Sequence, residues 1–218
     1  MDNKPLFLVD LPALFHSFGR LAWCFRPLAP LLERLLGIHS LNRIYNEVRL
    51  RLVHPEHDPA FFTKTLQVMK TSLKMDRAFS EQIPPEGPLI VVANHPFGGV
   101  DGVALGALLT ESRSDSKLMG NYMLSRIDGI RGSIIQVDPF DQKASAQANL
   151  AGIKEAIRWL REGGCLGVFP AGEVSAFNWR NISVVDRPWS PHIASLAMRS
   201  GASVLPIYFE GRNRWLFQ

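Results

Sequence analysis

The segment Asn94-His95-Pro96-Phe97-Gly98-Gly99-Val100-Asp101-Gly102 puts an imidazole and a carboxylate into one glycine-rich stretch. An imidazole ionises near neutrality, at about pH 6.5, so it can take a proton from a hydroxyl and return it, provided a carboxylate holds its other ring nitrogen. His95 and Asp101 are the candidates for that pair. Pro96 forces a turn, and Gly98 and Gly99 let the loop fold back tightly enough for the first turn of a following helix to bring Asp101 beside His95. Asp101 at that position also reads as a helix N-cap. A second constellation is Val168-Phe169-Pro170-Ala171-Gly172-Glu173-Val174-Ser175, which gathers proline, glycine, a carboxylate and a hydroxyl. Glu173 there either holds an acceptor hydroxyl or amine, or is a surface acid.

Other chemistries find less support. No GxSxG nucleophile elbow occurs, and the glycine-flanked Ser133 and Ser203 lack the second glycine. No DxH or HxH is present to start a two-metal site. His54 and His57 sit among Pro55 and Pro59 with no third ligand nearby, as in a solvated loop. Gly98 to Gly102 fails the GxGxxG pattern and sets a histidine where a pyrophosphate would lie.

Both constellations need elements to hold them. Leu89 to Ala93 (LIVVA) is a short apolar run rich in β-branched residues, bounded by Pro84, Pro85, Gly87 and Pro88, as a buried strand should be. The pattern then alternates. It predicts a helix from about Asp101 to Leu109, a strand near Lys117 to Gly120, a helix near Tyr122 to Ile127 and a strand Ser133 to Val137. There follow a helix Ser145 to Arg161 ended by Gly163-Gly164, a strand Cys165 to Phe169, a helix Pro191 to Arg199 and a strand Ser203 to Phe209. Such alternation predicts an α/β fold, a mostly parallel sheet flanked by helices. In such a sheet the site lies beyond the C-terminal strand ends, so the loops after LIVVA and after the Cys165 strand should face one another across one crevice. Helical spacing between Phe61 and Ser80 is mixed, and no element is assigned there.

The first 60 residues differ from the rest. Leu11, Leu14, Phe15, Phe18, Leu21 and Trp23, then Leu28, Leu31, Leu32 and Leu35, recur at helical steps with Pro27 and Pro30 between them, as in a pair of amphipathic helices. Between residues 11 and 53 the charges are Arg20, Arg26, Arg34, Arg43, Arg49 and Arg51 against Glu33 and Glu47. Such helices either cover a core face or lie in a lipid headgroup layer. The expected organisation is an N-terminal amphipathic helical segment over 1–60 and an α/β domain over 61–218. The chain's apolar end, Trp215-Leu216-Phe217-Gln218, close after the last strand, reads as a domain cut short.

With 218 residues, 46% hydrophobic and 20% charged, the chain can bury a sizeable core, which excludes disorder and disulfide mini-proteins. A net charge of +4 favours anions without the dense basic stripes of a nucleic-acid binder, so no nucleic-acid partner is expected. Cys24 and Cys165 are far apart and outside any CxxC, consistent with reduced, buried thiols. The acidic N-terminal region lacks signal-peptide character, and Arg20, Arg26, Glu33 and Arg34 interrupt the best apolar run.

Asn94-His95 followed by Asp101, then Phe169-Pro170-Ala171-Gly172-Glu173, then Val204-Leu205-Pro206-Ile207, resembles in order and spacing the motif blocks of the glycerolipid and lysophospholipid acyltransferase family. The match runs from about Pro88 to Phe209. Its NHPFGG and FPAGE variants look like a bacterial subgroup that includes haemolysin-like and lyso-ornithine-lipid acyltransferase-like proteins. The resemblance implies that His95 deprotonates an acceptor hydroxyl that attacks an acyl thioester, that Asp101 orients His95, and that Pro170 to Ser175 hold the acceptor. Five residues separate His95 from Asp101, one more than that family's usual spacing, which leaves the glycines to absorb the difference. Ala171 stands where the family has Glu, and Val174 where it has a basic residue, so Arg126 and Arg131 become the candidate replacement cations.

The expected substrate-binding residues are thus Asn94, Gly98, Gly99, Arg126, Arg131, Pro170, Gly172, Glu173 and Ser175, with backbone N–H groups near Gly98, Gly99 or Gly172 for the oxyanion. The implied reaction is O-acyl transfer from acyl carrier protein or coenzyme A thioester to a lysophospholipid or lyso-ornithine lipid. No metal and no tightly bound cofactor is expected, since acyl-CoA or acyl-ACP serves as co-substrate. The implied location is the cytoplasmic face of the inner membrane, peripherally bound. A lipid-binding module with a degenerate site and a thioester hydrolase are the alternatives.

Overall fold

The computed structural model describes residues 33–34, 37–53, 58–75, 82–137, 145–178 and 182–213, with the side chains of 125–126 and 145–148 left out. The amphipathic helices expected from Leu11 onward, Cys24, His54, His57 and the end at Trp215 to Gln218 lie outside the described residues.

Helix α1 spans Ile38–Arg49 and α2 spans Phe61–Val68. Strand β1, Leu89–Ala93, is buried at every position, as expected of a parallel strand covered on both faces. Helix α3, Gly99–Ser112, follows it, then β2, Ser116–Asn121. Two 3-10 turns, Tyr122–Arg126 and Arg131–Ser133, lead to β3, Ile134–Val137. Helix α4, Ser145–Arg161, and β4, Cys165–Val168, come next. A hairpin of β5, Ala176–Asn178, and β6, Ser183–Val185, precedes α5, His192–Ser200, and β7, Ser203–Ile207.

The main sheet has five strands in the order β3-β2-β4-β1-β7, all parallel. The α/β reading therefore holds, and the loops after β1 and β4 are neighbours because their strands pair directly, Val92 against Val168. One face packs Leu89, Val91 and Ala93 against Leu105 and Leu109 of α3 and Phe61, Phe62 and Leu66 of α2. Val48 of α1 enters this same core. The other face packs Ile90, Val92, Leu166 and Val168 against Ala156 and Leu160 of α4 and Leu196 of α5. Each fully buried Leu or Ile here contributes about 1.5–3 kcal/mol of transfer free energy.

Several boundaries differ from expectation. Helix α3 begins two residues before Asp101, because Gly98 at φ 70° turns the chain into it. The Phe61 segment is helical only to Val68, and the segment after β2 is a 3-10 turn. Strand β7 ends at Ile207 instead of Phe209 because a side chain takes over its pairing, as described below. The β5–β6 hairpin is absent from the sequence reading, its strands being too short to show a period. Cys165 is a free, fully buried thiol, and burial pushes its pKa up.

Candidate active site

Beyond the last residue of β1 the chain must leave the sheet, and Asn94 controls how. Its amide donates to the Phe209 carbonyl (2.9 Å) and accepts from the Phe209 N–H (2.6 Å), reproducing a backbone pair past Ala93–Ile207. Asn94 therefore positions the chain at the mouth of the site, with one amide N–H and one oxygen lone pair committed to Phe209. His95 follows immediately, at the C-terminal edge of a central parallel strand.

The His95 ring is fixed from two sides. Its Nδ1 lies 3.1 Å from Oδ2 of Asp101. Its face stacks on Phe169, with centroids 4.0 Å apart and an interplanar angle of 24°. The ring is 17% exposed and the carboxylate 1%, so the imidazole reaches solvent while its partner does not. That leaves Nε2 as the ring nitrogen for chemistry.

Asp101 does more than meet the ring. The same Oδ2 accepts the Phe97 N–H at 2.7 Å and the Gly98 N–H at 3.0 Å. Asp101 is the third residue of α3 instead of its N-cap, a position where a carboxylate is stabilised by the helix N-terminus and by capping such donors. The left-handed φ of Gly98 makes this possible, and a Cβ there would stand 3.1 Å from a Val174 methyl. The longer His-to-Asp loop is absorbed at that glycine.

The second loop folds over the first. Ser175 N–H donates to the His95 carbonyl at 2.9 Å, and Pro170 accepts from the Ser190 N–H at 3.0 Å. Gly172, at φ 69°, donates its N–H to Phe169. The N–H groups of Gly98 and Gly172 therefore point into the loops, which removes both from the candidate oxyanion donors; Gly99 opens α3.

Sequence reading missed the groups that lock these loops together. Asp186 accepts the His95 N–H at 3.2 Å, the Trp189 indole N–H at 2.9 Å, and the Ser175 hydroxyl. Ser175 is therefore buried beneath the site and bonded to Asp186, not turned toward a substrate. Glu173 forms an ion pair with Arg187 at 3.0 Å. Asp186 lies 91 residues from His95, and the one available signal was the charged and aromatic cluster Asp186-Arg187-Pro188-Trp189 after two valines.

Arg131 is not brought to this loop. It precedes β3, at the strand's N-terminal end, pairs with Asp128 at 3.1 Å and lines a hollow of about 650 Å³ with Lys117, Gln136 and Glu155. Strands β2 and β4 stand between β3 and β1. Arg126 ends the 3-10 turn after β2, and its side chain lies outside the described residues. Among the described residues no three His, Cys, Asp or Glu side chains converge as metal ligands.

The arrangement is suited to proton transfer at Nε2 of His95 in a crevice between two sheet-end loops. A family model described as Acyltransferase matches residues 50–218. The chain is similar to a lyso-glycine lipid O-acyltransferase of Bacteroides thetaiotaomicron, 23% identical over 222 residues that span all of this chain and 76% of that protein. It is similar to a second protein of that name from Phocaeicola vulgatus, 29% identical over 138 residues, 63% of this chain and 47% of the relative. Among solved structures it is similar to the 1-acyl-sn-glycerophosphate (LPA) acyltransferase PlsC from Thermotoga maritima, at 18% identity and a TM-score of 0.46, over 90% of this chain and 72% of that one.

Proposed function

The chain belongs to the acyltransferase family, and from that premise we propose that it moves a fatty acyl group from an acyl-ACP or acyl-CoA thioester to the hydroxyl of a lyso-lipid, with His95 as general base. The observation that carries this reading is the His95–Asp101 pair at 3.1 Å, with its carboxylate buried and its ring open to the crevice. Nε2 takes the proton as the acceptor oxygen attacks the thioester carbonyl carbon. The C–S bond then breaks, and the proton passes from Nε2 to the departing thiolate, leaving an ester and a free thiol. Asp101 holds Nδ1–H and stabilises the imidazolium that forms between these steps. The Gly99 N–H, on the first turn of α3, is the oxyanion donor in this scheme.

The named relatives act on lyso-glycine lipid, which supports a lyso-lipid built on an N-acylated amino acid as the acceptor. Neither a metal nor a bound cofactor enters the reaction, since thioester and base supply the reactivity. We place it peripherally on the cytoplasmic face of the inner membrane. The arginine-rich, amphipathic stretch up to residue 53 supports this, and at its end Leu50 and Val53 are 68% and 72% exposed. No helix among the described residues is long and apolar enough to cross a membrane.

The test is thiol release from acyl-CoA and acyl-ACP with lyso-glycine lipid, lyso-ornithine lipid and lysophospholipid as acceptors. Release that depends on an acceptor, with the acylated lipid as product, is expected. Release without any acceptor would make the protein a thioester hydrolase, and none with any pair would favour a lipid-binding module.

A further inference from the structure

We propose that Arg187 recognises a free carboxylate on the acceptor headgroup, giving up its ion pair with Glu173 to do so. This rests on the transferase reading above and names the acceptor class, an N-acyl amino acid whose carboxylate is unblocked. The hairpin register pairs Ala176 with Val185. Continued outward, it sets Ser175 against Asp186, as their hydrogen bond shows, and Val174 against Arg187. Asp186 is itself bonded to the His95 N–H at 3.2 Å. Arg187 therefore starts one strand step, about 3.3 Å, beyond a residue whose carboxylate accepts the backbone N–H of His95.

The geometry fits the substrate. In an N-(3-hydroxyacyl) amino acid the hydroxyl and the carboxylate are separated by about 7 Å, two residues' length of extended chain. A hydroxyl at Nε2 of His95 would leave the carboxylate at the rim, within reach of a long side chain rooted at position 187. A guanidinium meets a carboxylate with two parallel N–H donors, a match that a neutral headgroup lacks. Glu173 keeps that fork pointed at the loop, and because Arg187 is 65% exposed and Glu173 43%, the pair is weak enough to exchange. Among the described residues of the loops around His95, Arg212 is the other cation, beyond Gly211 and Phe97.

The test compares two acceptors on the full chain with one thioester donor, N-(3-hydroxyacyl)glycine and its neutral carboxamide. Wild type should prefer the carboxylate by about ten- to a hundredfold in kcat/KM, the range of one charged hydrogen-bonded contact. Arg187→Ala should bring that ratio close to one, and Arg187→Lys should restore part of it. Glu173→Gln should lower the KM for the carboxylate, since Arg187 no longer has a competing partner. Turnover of the carboxamide by Arg187→Ala shows that the variant is folded. Equal use of both acceptors by wild type, or a preference that survives Arg187→Ala, would overturn the assignment while leaving the transferase intact, and loss of that preference in Arg212→Ala would move the role to Arg212. Transfer to neither these nor any other lyso-lipid would overturn the transferase reading and the assignment together.

Discussion

Asp101 separates orientation of the base from stability of the fold, because one oxygen serves both. Oδ2 meets His95 Nδ1 at 3.1 Å and the N–H groups of Phe97 and Gly98 at 2.7 and 3.0 Å. In Asp101→Asn the amide oxygen should occupy that point, since an NH2 there would face two N–H donors. The backbone bonds and the tautomer then survive, but the ring loses its charged partner. A charge-assisted bond contributes about 1.5–3 kcal/mol and a neutral one about 0.5–1.5, so roughly 1–1.5 kcal/mol of imidazolium stabilisation disappears. That predicts a drop in kcat/KM of about tenfold with little change in Tm. Asp101→Ala removes every bond and orphans two N–H groups at a cost of about 1–3 kcal/mol each, the lower end applying to the half-buried Phe97. About 2–4 kcal/mol of lost stability translates into roughly 4–16 °C in Tm for a chain of this size. Thiol release and thermal unfolding, measured on both variants, read the two effects apart. Wild-type kcat/KM in Asp101→Asn would refute the charge stabilisation, and activity in Asp101→Ala equal to that of Asp101→Asn would refute the orienting role.

Arg113, 4% exposed, donates to the carbonyls of Pro84, Gly87 and Gly163 and to Asp115, tying three loops beneath the sheet. Arg113→Met should lower the unfolding free energy by about 3–5 kcal/mol in urea, and a midpoint equal to wild type would contradict this. The Arg113 guanidinium holds the Asp115 carboxyl below its ordinary value of 3.8, and at Asp58 burial, which alone would raise it, is outweighed by Lys64 and the N–H groups of Val53 and Ala60. The stability these groups add is therefore present above about pH 4 and lost as pH falls through their depressed values. Urea midpoints should drop below pH 4, less steeply in the double variant Asp58→Asn, Asp115→Asn; identical slopes would exclude the mechanism. Gly98→Ala forces a Cβ onto a φ of 70°, 3.1 Å from Val174, at a cost of about 1–3 kcal/mol, and should lower both Tm and turnover. A Gly98→Ala protein as stable and active as wild type would show that the loop does not depend on that conformation.

What the sequence reveals depends on how local the cause is. The LIVVA run, the alternation after it and the glycine loop announce β1, α3 and the His95–Asp101 approach because each is set within about ten residues. Helix α3 starts early for a local reason too, the φ of Gly98, but the reading gave Asp101 the cap and so displaced the boundary. The role of Asn94 was invisible because its partner, Phe209, is 115 residues away. The same holds for Asp186, whose hairpin is two three-residue strands with no period to detect. Arg131 is a candidate replacement for the cation missing at Val174, whereas the parallel connection returns the chain to the far end of the sheet before β3 begins. For Glu173 the sequence leaves open an acceptor contact or a surface acid, and the cation it meets, Arg187, follows a hairpin too short to show a period.

The central claim is that His95 is the base, and the most direct measurement is single-turnover acyl transfer by His95→Ala and His95→Gln beside wild type, with circular dichroism and Tm recorded on the same samples. The account predicts folded variants whose rate of ester formation falls by at least about a hundredfold, the usual contribution of general base catalysis. Ester formation at the wild-type rate in a folded His95→Ala protein would contradict it.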